Sequence, residues 1–341
     1  MNPPTHVLFI LTYRCNLRCP YCVVFNPVRY WRPDDDVAIP PALAREELTT
    51  QQIVERVIPQ CEQAGVEVIA LTGGEIMVRK DAREIFRALG DSKLKWCIDT
   101  NLSFCTEEVA ETIIDAGCDT VFASLDGPPE IHNKLRASPR AYKTFSEGLA
   151  RLMHARAAAA ESKTSVALNC VVQAGNEAAV CDVVRIAAEY GVDSVSFQLC
   201  SKLDYGEVFQ ADVATQALAA ARELAKSLGL RMSVFPIPDP TPADLTSWFS
   251  SPPSAAFFQG CSYIYSSLRI DPSGNVIPCV EHRIGNILEE DLLDIWRGSV
   301  YESFRAQIMK TPIKACLRCC NMDSRQGSNP GIESIHPVQT N

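Results

Sequence analysis

Three cysteines fall within eight residues near the start of the chain. Cys15, Cys19 and Cys22 read C-x3-C-x2-C directly after an apolar run. Structural zinc asks for four closed ligands. No fourth cysteine or histidine stands nearby, and His6 falls at the far end of the apolar run. Three thiolates suit a different task, because they can hold three irons of a [4Fe–4S] cube and leave the fourth open. A second group, Cys261, Cys279, Cys316 and Cys319, reads C-x17-C-x36-C-x2-C with Cys320 adjacent. Four thiolates from a hairpin and a turn can bind an iron–sulfur cluster or tetrahedral zinc, and so small a unit needs the metal to fold.

The stretch Arg14-Cys15-Asn16-Leu17-Arg18-Cys19-Pro20-Tyr21-Cys22 resembles the radical S-adenosylmethionine (SAM) superfamily signature, including an aromatic residue before the third cysteine. Leu71-Thr72-Gly73-Gly74-Glu75 looks like that family's GGE motif. Its glycines allow backbone to approach a ligand closely, and its carboxylate can take the methionine ammonium of SAM. The segment from Ser124-Leu125-Asp126-Gly127-Pro128 through His132 to Arg136 is similar to one in members with a C-terminal SPASM or shortened twitch extension.

On that resemblance the SAM contacts are Tyr21, Gly73, Gly74, Glu75, Asn101, Ser124, Asp126, Arg136, Asn169 and Gln198. Ser124 is expected at the SAM carboxylate or ribose, helped by Arg136 or Arg140. Both arginines are equally suited to pairing with Asp126 or Glu130. Asn169 and Gln198 interrupt apolar strands, lining a pocket in one strand phase and facing solvent in the other. His132 reads more readily as a structural hydrogen-bonder than as a catalyst. The sequence departs from the family once, with Ile76 where Pro usually follows GGE.

Leu268 to Cys279, followed by Gly285-Asn286-Ile287 and Ile295-Trp296, resembles the hairpin and helix of the twitch domain. That implies one auxiliary cluster on Cys261, Cys279, Cys316 and Cys319, while four-cysteine zinc fits the same spacing locally. Cys320 can replace Cys319, remain a spare thiol or bind a thiophilic substrate. The other seven cysteines, Cys61, Cys97, Cys105, Cys118, Cys170, Cys181 and Cys200, sit mostly on apolar positions and read as packing. Cys97, Cys170 and Cys200 lie on or near strands, where substrate contact is the minority reading.

These groups need a scaffold. Strands are expected at Val7–Thr12, Val66–Thr72, Leu94–Asp99, Thr120–Leu125, Ser165–Val172 and Ser194–Leu199, alternating with helices near 49–64, 81–89, 106–116, 140–158, 177–190 and 211–228. Thr49, Asp81 and Thr106 mark helix starts. Gly65, Gly90, Gly117, Gly191 and Gly229 mark helix ends. The series calls for an α/β fold with parallel strands, right-handed crossovers and chemistry at the strands' carboxyl ends. The family resemblance makes it a partial (β/α)6 TIM-like barrel over residues 1–228. A proline-rich connector with little regular structure is expected at 229–260, a twitch domain at 261–323 and a loose tail at 324–341.

Forty-one acidic against 32 basic side chains, a net charge of -9, argue against a basic nucleic-acid grip. No apolar run approaches the roughly 18 residues a membrane span needs. No secretory leader is visible, so a reducing cytoplasm is expected, where clustered cysteines bind metal rather than form bridges. The resemblance implies SAM, a [4Fe–4S] cluster with an open iron, one auxiliary cluster and an external donor such as flavodoxin or ferredoxin. The leading expectation is radical modification of a small biosynthetic molecule, with peptide maturation as the alternative. A third reading is transfer of the 3-amino-3-carboxypropyl group of SAM to a trivalent arsenical held by Cys319 and Cys320. From another class comes a non-enzymatic zinc or iron–sulfur redox sensor.

Overall fold

The computed structural model describes residues 2–22, 46–201, 208–250, 260–279, 283–313, 316, 317, 319 and 321. Cys320 and the expected tail lie outside these residues. Seven strands alternate with helices: β1 (His6–Thr12), β2 (Val68–Gly73), β3 (Lys95–Thr100), β4 (Thr120–Ser124), β5 (Ser165–Val172), β6 (Ser194–Leu199) and β7 (Arg231–Phe235). Helix α1 begins at Thr50–Gln52, widens to a π segment at Ile53–Val57 and ends at Ile58–Gln63. Pro59 has no N–H for the carbonyl four residues back, inside that π segment, which accounts for the widening. Helices α2 (Ala82–Gly90), α3 (Glu107–Asp115), α4 (Pro129–Leu135), α5 (Ala141–Ala158), α6 (Val180–Tyr190), α7 (Ala211–Ser227) and α8 (Pro242–Trp248) follow.

Two expected caps form. Thr49 and Gln52 make a reciprocal capping box, and Thr106 accepts from the Val109 amide. Asp81 makes no such cap, because Arg79 and the Thr50 hydroxyl donate to its carboxylate. Gly90 is not a left-handed cap either. It is the last helical residue, and a Cβ there would fall 2.5 Å from the Ala116 carbonyl oxygen.

The stretch expected to be an irregular connector contains β7 and α8. Its prolines bracket these elements rather than abolish them. Pro236 follows the last residue of β7, an edge strand. Pro242 occupies the first turn of α8, where a missing N–H costs nothing, behind a capping box formed by Thr241 and Asp244.

The C-terminal segment adds α9 (Tyr263–Ser266), β8 (Ser267–Ile270), β9 (Asn275–Ile277), β10 (Gly285–Asn286), α10 (Leu292–Arg297) and α11 (Ser299–Lys310). The hairpin expected at this point is present, and it continues the main sheet. Strand β8 pairs in parallel with β1, giving the order β10-β9-β8-β1-β2-β3-β4-β5-β6-β7. This pairing covers the edge that β1 would otherwise expose. Buried bridges reinforce it. The Gln60 amide donates to Ile287 O and accepts from Leu292 N. Arg305 stacks over Tyr301 and Trp296 while donating to Ile264 O and Trp296 O.

Period-two alternation divides the strands between two environments. One face packs on the helices through residues such as Ile69, Leu71, Ile98, Val121 and Leu168. The other carries an apolar floor of Leu8, Val68, Ala70, Cys97, Phe122 and Ala167. Two residues further along, the same phase presents Thr72, Asp99, Ser124 and Asn169, all of which line a single cavity. Gln198 of β6 and Arg269 of β8 reach that cavity too. These strands are six steps apart, roughly 29 Å in a flat sheet, so the sheet curls into a partial barrel.

Candidate active site

The cysteine loop leaves the carboxyl end of β1 and is held by backbone from β2. Gly74 N donates to Thr12 O and Glu75 N to Arg14 O, both at 2.8 Å. A Cβ on Gly74 would lie 2.1 Å from Arg14 O, and one on Gly73 2.3 Å from Thr12 O. The sequence suggested that these glycines admit a ligand. The structure shows that they admit the cysteine loop itself, while still lining the cavity.

Cys15, Cys19 and Cys22 line one cavity of about 320 Å³. Burial raises the Cys15 thiol and pushes Cys19 up to about 11. The Leu17 amide donates to Cys15 Sγ at 3.3 Å, a contact that favours thiolate. Among the described residues no group of three His, Cys, Asp or Glu side chains could hold a metal ion as placed. A cube presents three separate irons to three thiolates, so this donor set suits it better than a single ion.

Tyr21, Asn101, Ser124, Arg136, Asn169 and Gln198 also line the cavity. Asn101 Nδ2 donates to Asn16 Oδ1 at 3.0 Å and reaches Cys15 Sγ at 3.8 Å. The Ser196 hydroxyl donates to Asn169 Oδ1 at 3.0 Å. Two expected contacts, Glu75 and Asp126, do not line it. Glu75 is fully buried and accepts from Met77 N, Thr100 Oγ1 and Asn101 N, tying the end of β2 to the end of β3. Burial raises its carboxyl, while these three donors pull the other way.

Asp126 is equally buried. It accepts from Tyr21 OH at 2.5 Å, Arg136 Nε at 2.6 Å and Val171 N at 3.1 Å. Burial alone would raise this carboxyl, but the Arg136 guanidinium above all, with the Tyr21 hydrogen bond, outweighs it and holds it below its usual range. Arg136 is therefore the Asp126 partner. His132 is structural, because burial lowers it to about 3 and its Nδ1 accepts from Asp126 N. The network anchors Tyr21, and with it the third cysteine, to the end of β4.

The second cysteine group comes from the hairpin side. Cys316 is buried, and Cys261, Cys279 and Cys319 pack half-buried against the same cluster. Burial foremost, then the charges of Cys319, Cys279 and Cys261, pushes the Cys316 thiol up to about 12. The other three thiols thus lie near enough to Cys316 to bear on its charge. Cys319 N donates to Cys316 O, and Asn321 N to Cys319 Sγ. Asn321, Tyr263 and Arg269 carry this region to the wall of the cavity that holds the first three cysteines.

Sequence reasoning missed several lining residues. Asp99 reads from sequence only as a strand end, yet burial pushes its carboxyl up to about 6 against a hydrogen bond from Thr72. The period-two phase of Ala70/Thr72 and Cys97/Asp99 carries that signal. Nothing local in the sequence points to Tyr263 or Arg269. Six of the seven remaining cysteines are buried and Cys181 is half-buried, consistent with packing, and Cys200 also reaches the cavity.

The radical SAM superfamily model matches residues 9–200, and a model of an iron–sulfur cluster-binding domain, SPASM, matches 261–320. A PqqA peptide cyclase of Rhizobium meliloti (strain 1021) is 27% identical over 322 residues, 89% of this chain and 77% of that relative. The structure of Streptococcus suis SuiB bound to precursor peptide SuiA superposes with a TM-score of 0.67 at 15% identity, covering 90% of this chain and 67% of that one. Native anSMEcpe with bound AdoMet gives 0.62 at 18% identity, covering 96% and 93%. No helix among the described residues is long and apolar enough to cross a membrane. The family match spans more than half the chain, its cysteine loop and GGE motif meet at one cavity, and the chain belongs to the radical SAM superfamily, with SAM, a [4Fe–4S] cluster and an auxiliary iron–sulfur cluster as its cofactors.

Proposed function

We propose that this enzyme modifies a peptide by radical chemistry. Cys15, Cys19 and Cys22 would hold the SAM-binding cluster, and Cys261, Cys279, Cys316 and Cys319 the auxiliary one. The observation that carries the reading is the likeness, over nearly nine-tenths of the chain, to a relative named as a peptide cyclase. It moves the substrate from the small molecule expected from sequence to the peptide alternative.

When bound, the reduced cluster supplies the electron that breaks a sulfonium C–S bond of SAM. The chain's own residues do the rest. Gly73 and Gly74 fix the cysteine loop, and the Asp126–Arg136–Tyr21 network fixes its far end. Asn101, Ser124, Asn169 and Gln198 offer polar contacts for the amino acid, ribose and base of SAM. Leu8, Leu17 and Val171 line the same cavity and would help to keep water from the reacting atoms. A cytoplasmic flavodoxin or ferredoxin would deliver the electron.

The test uses the full chain, reconstituted anaerobically, with SAM, dithionite and short peptides encoded beside its gene. Peptide-stimulated 5′-deoxyadenosine with a changed peptide mass supports the reading. Methylthioadenosine would point to aminocarboxypropyl transfer instead. Cleavage of SAM without modification of any such peptide would overturn the peptide substrate.

A further inference from the structure

Between the two groups of cysteines, the cavity wall carries two buried donors that no other described residue takes up. Tyr263 is 3% exposed, and Arg269 enters from β8 beside Leu8 of β1. The guanidinium carbon lies 5.9 Å from the Tyr263 ring centroid. Tyr263 OH and Arg269 Nε are both buried and meet no hydrogen-bond partner in good geometry among the described residues, the guanidinium and the phenol making at most a loose contact with each other. Leaving two such donors buried and unmatched costs free energy unless a ligand takes them.

The nearest carboxylate along the strand does not serve Arg269. Asp271 Oδ1 accepts from Ser273 N and Asn275 N at 2.9 Å each, and Oδ2 from Asn275 Nδ2 at 2.7 Å. Its carboxylate is spent on the hairpin turn. No ion pair joins Arg269 to an acid among the described residues. A phenol keeps its proton and a guanidinium its charge at neutral pH, so both remain donors.

A guanidinium N–H beside a phenolic O–H matches the two oxygens of a carboxylate. The location also favours a substrate rather than SAM. Apart from Tyr21 on the cysteine loop, the expected SAM contacts run from β2 to β6, whereas Arg269 stands on the opposite flank of β1, next to the auxiliary cysteines. We propose that Tyr263 and Arg269 form a recess that binds a carboxylate of the substrate, an acidic side chain or a chain terminus, and so set which residue faces the radical. The inference deepens the peptide reading and rests on it for the substrate's class.

The test is equilibrium dialysis on the reconstituted, SAM-loaded enzyme. The probes are radiolabelled N-acetyl-glutamate N-methylamide, its glutamine isostere and N-acetyl-alanine, which offers a terminal carboxylate. A carboxylate probe should be retained and the neutral one bound about tenfold or more weakly. Arg269→Gln and the conservative Tyr263→Phe should each remove most of that discrimination, and Arg269→Lys should keep part of it. The SAM dissociation constant and iron content should stay within about twofold of the parent. No preference for carboxylate, or a preference that survives in both variants, would overturn the recess. A SAM affinity that falls as far as probe binding would assign the donors to SAM's own carboxylate and overturn the substrate role. If the recess binds carboxylate while no peptide is ever modified, the peptide reading fails and the recess stands for a small acidic substrate.

Discussion

The two groups of cysteines are positioned by different means. The first three lie on one short loop, pinned by main-chain hydrogen bonds from the end of β2 and by a buried side-chain network at the end of β4. The other four come from separated segments at the ends of short elements, and packing against one apolar cluster brings them into the same region. One site is organised by the fold before metal arrives, whereas the other depends on metal to complete it.

Substitution within each group tests that contrast most severely. Cys19→Ala should abolish SAM cleavage and leave roughly four of about eight irons. Cys279→Ala should keep part of the SAM cleavage and lose the modified product, read by chromatography of 5′-deoxyadenosine and by iron analysis. Equal loss of SAM cleavage in both variants would show that the two sites are not separable.

The anchoring network comes next. Asp126→Asn leaves Arg136 buried without its counter-charge, at a cost of about 3–5 kcal/mol. Urea unfolding should show the loss, and the first cluster should load poorly while the second loads normally. Gly74→Ala forces a Cβ against Arg14 O, costing about 1–3 kcal/mol. It should deplete the same cluster selectively, as judged from electron paramagnetic resonance of the reduced protein. Retention of full first-cluster signal by Gly74→Ala would remove the case for fold-organised positioning.

The smallest effect concerns the cavity between the two sites. Because burial raises the Asp99 carboxyl from 3.8 to about 6, the folded state holds its proton more tightly than the unfolded chain. That contribution is present below the unfolded value and is lost as pH rises through about 6. Asp99→Asn should therefore raise the melting temperature near pH ~8 and change it little near pH ~4. An equal change at both values would mean that Asp99 is not the group that titrates.

Much of this is legible in the sequence because its signals are local. Strands β5 and β6 fall where alternation and flanking helices put them, and Thr49 and Thr106 cap as their positions suggest. Strand β7 escapes a reading that counts prolines as breakers, because these sit at element boundaries, where they are tolerated. Glu75 and Asp126 read as ligand contacts from sequence, but direction within a motif depends on donors from elsewhere: Thr100 and Asn101 for one, Tyr21 and Arg136 for the other.

The sequence alone determined the cysteine spacing, the strand–helix series and the family, since each is written in residues close together along the chain. Tertiary structure alone decided that β8 joins β1 and that the hairpin closes on the barrel. It also decided that Tyr263 and Arg269 face the same cavity as Cys15. Those placements depend on pairing between residues as far apart in the chain as His6 and Ser267, and no local pattern encodes which distant edge a strand will cover.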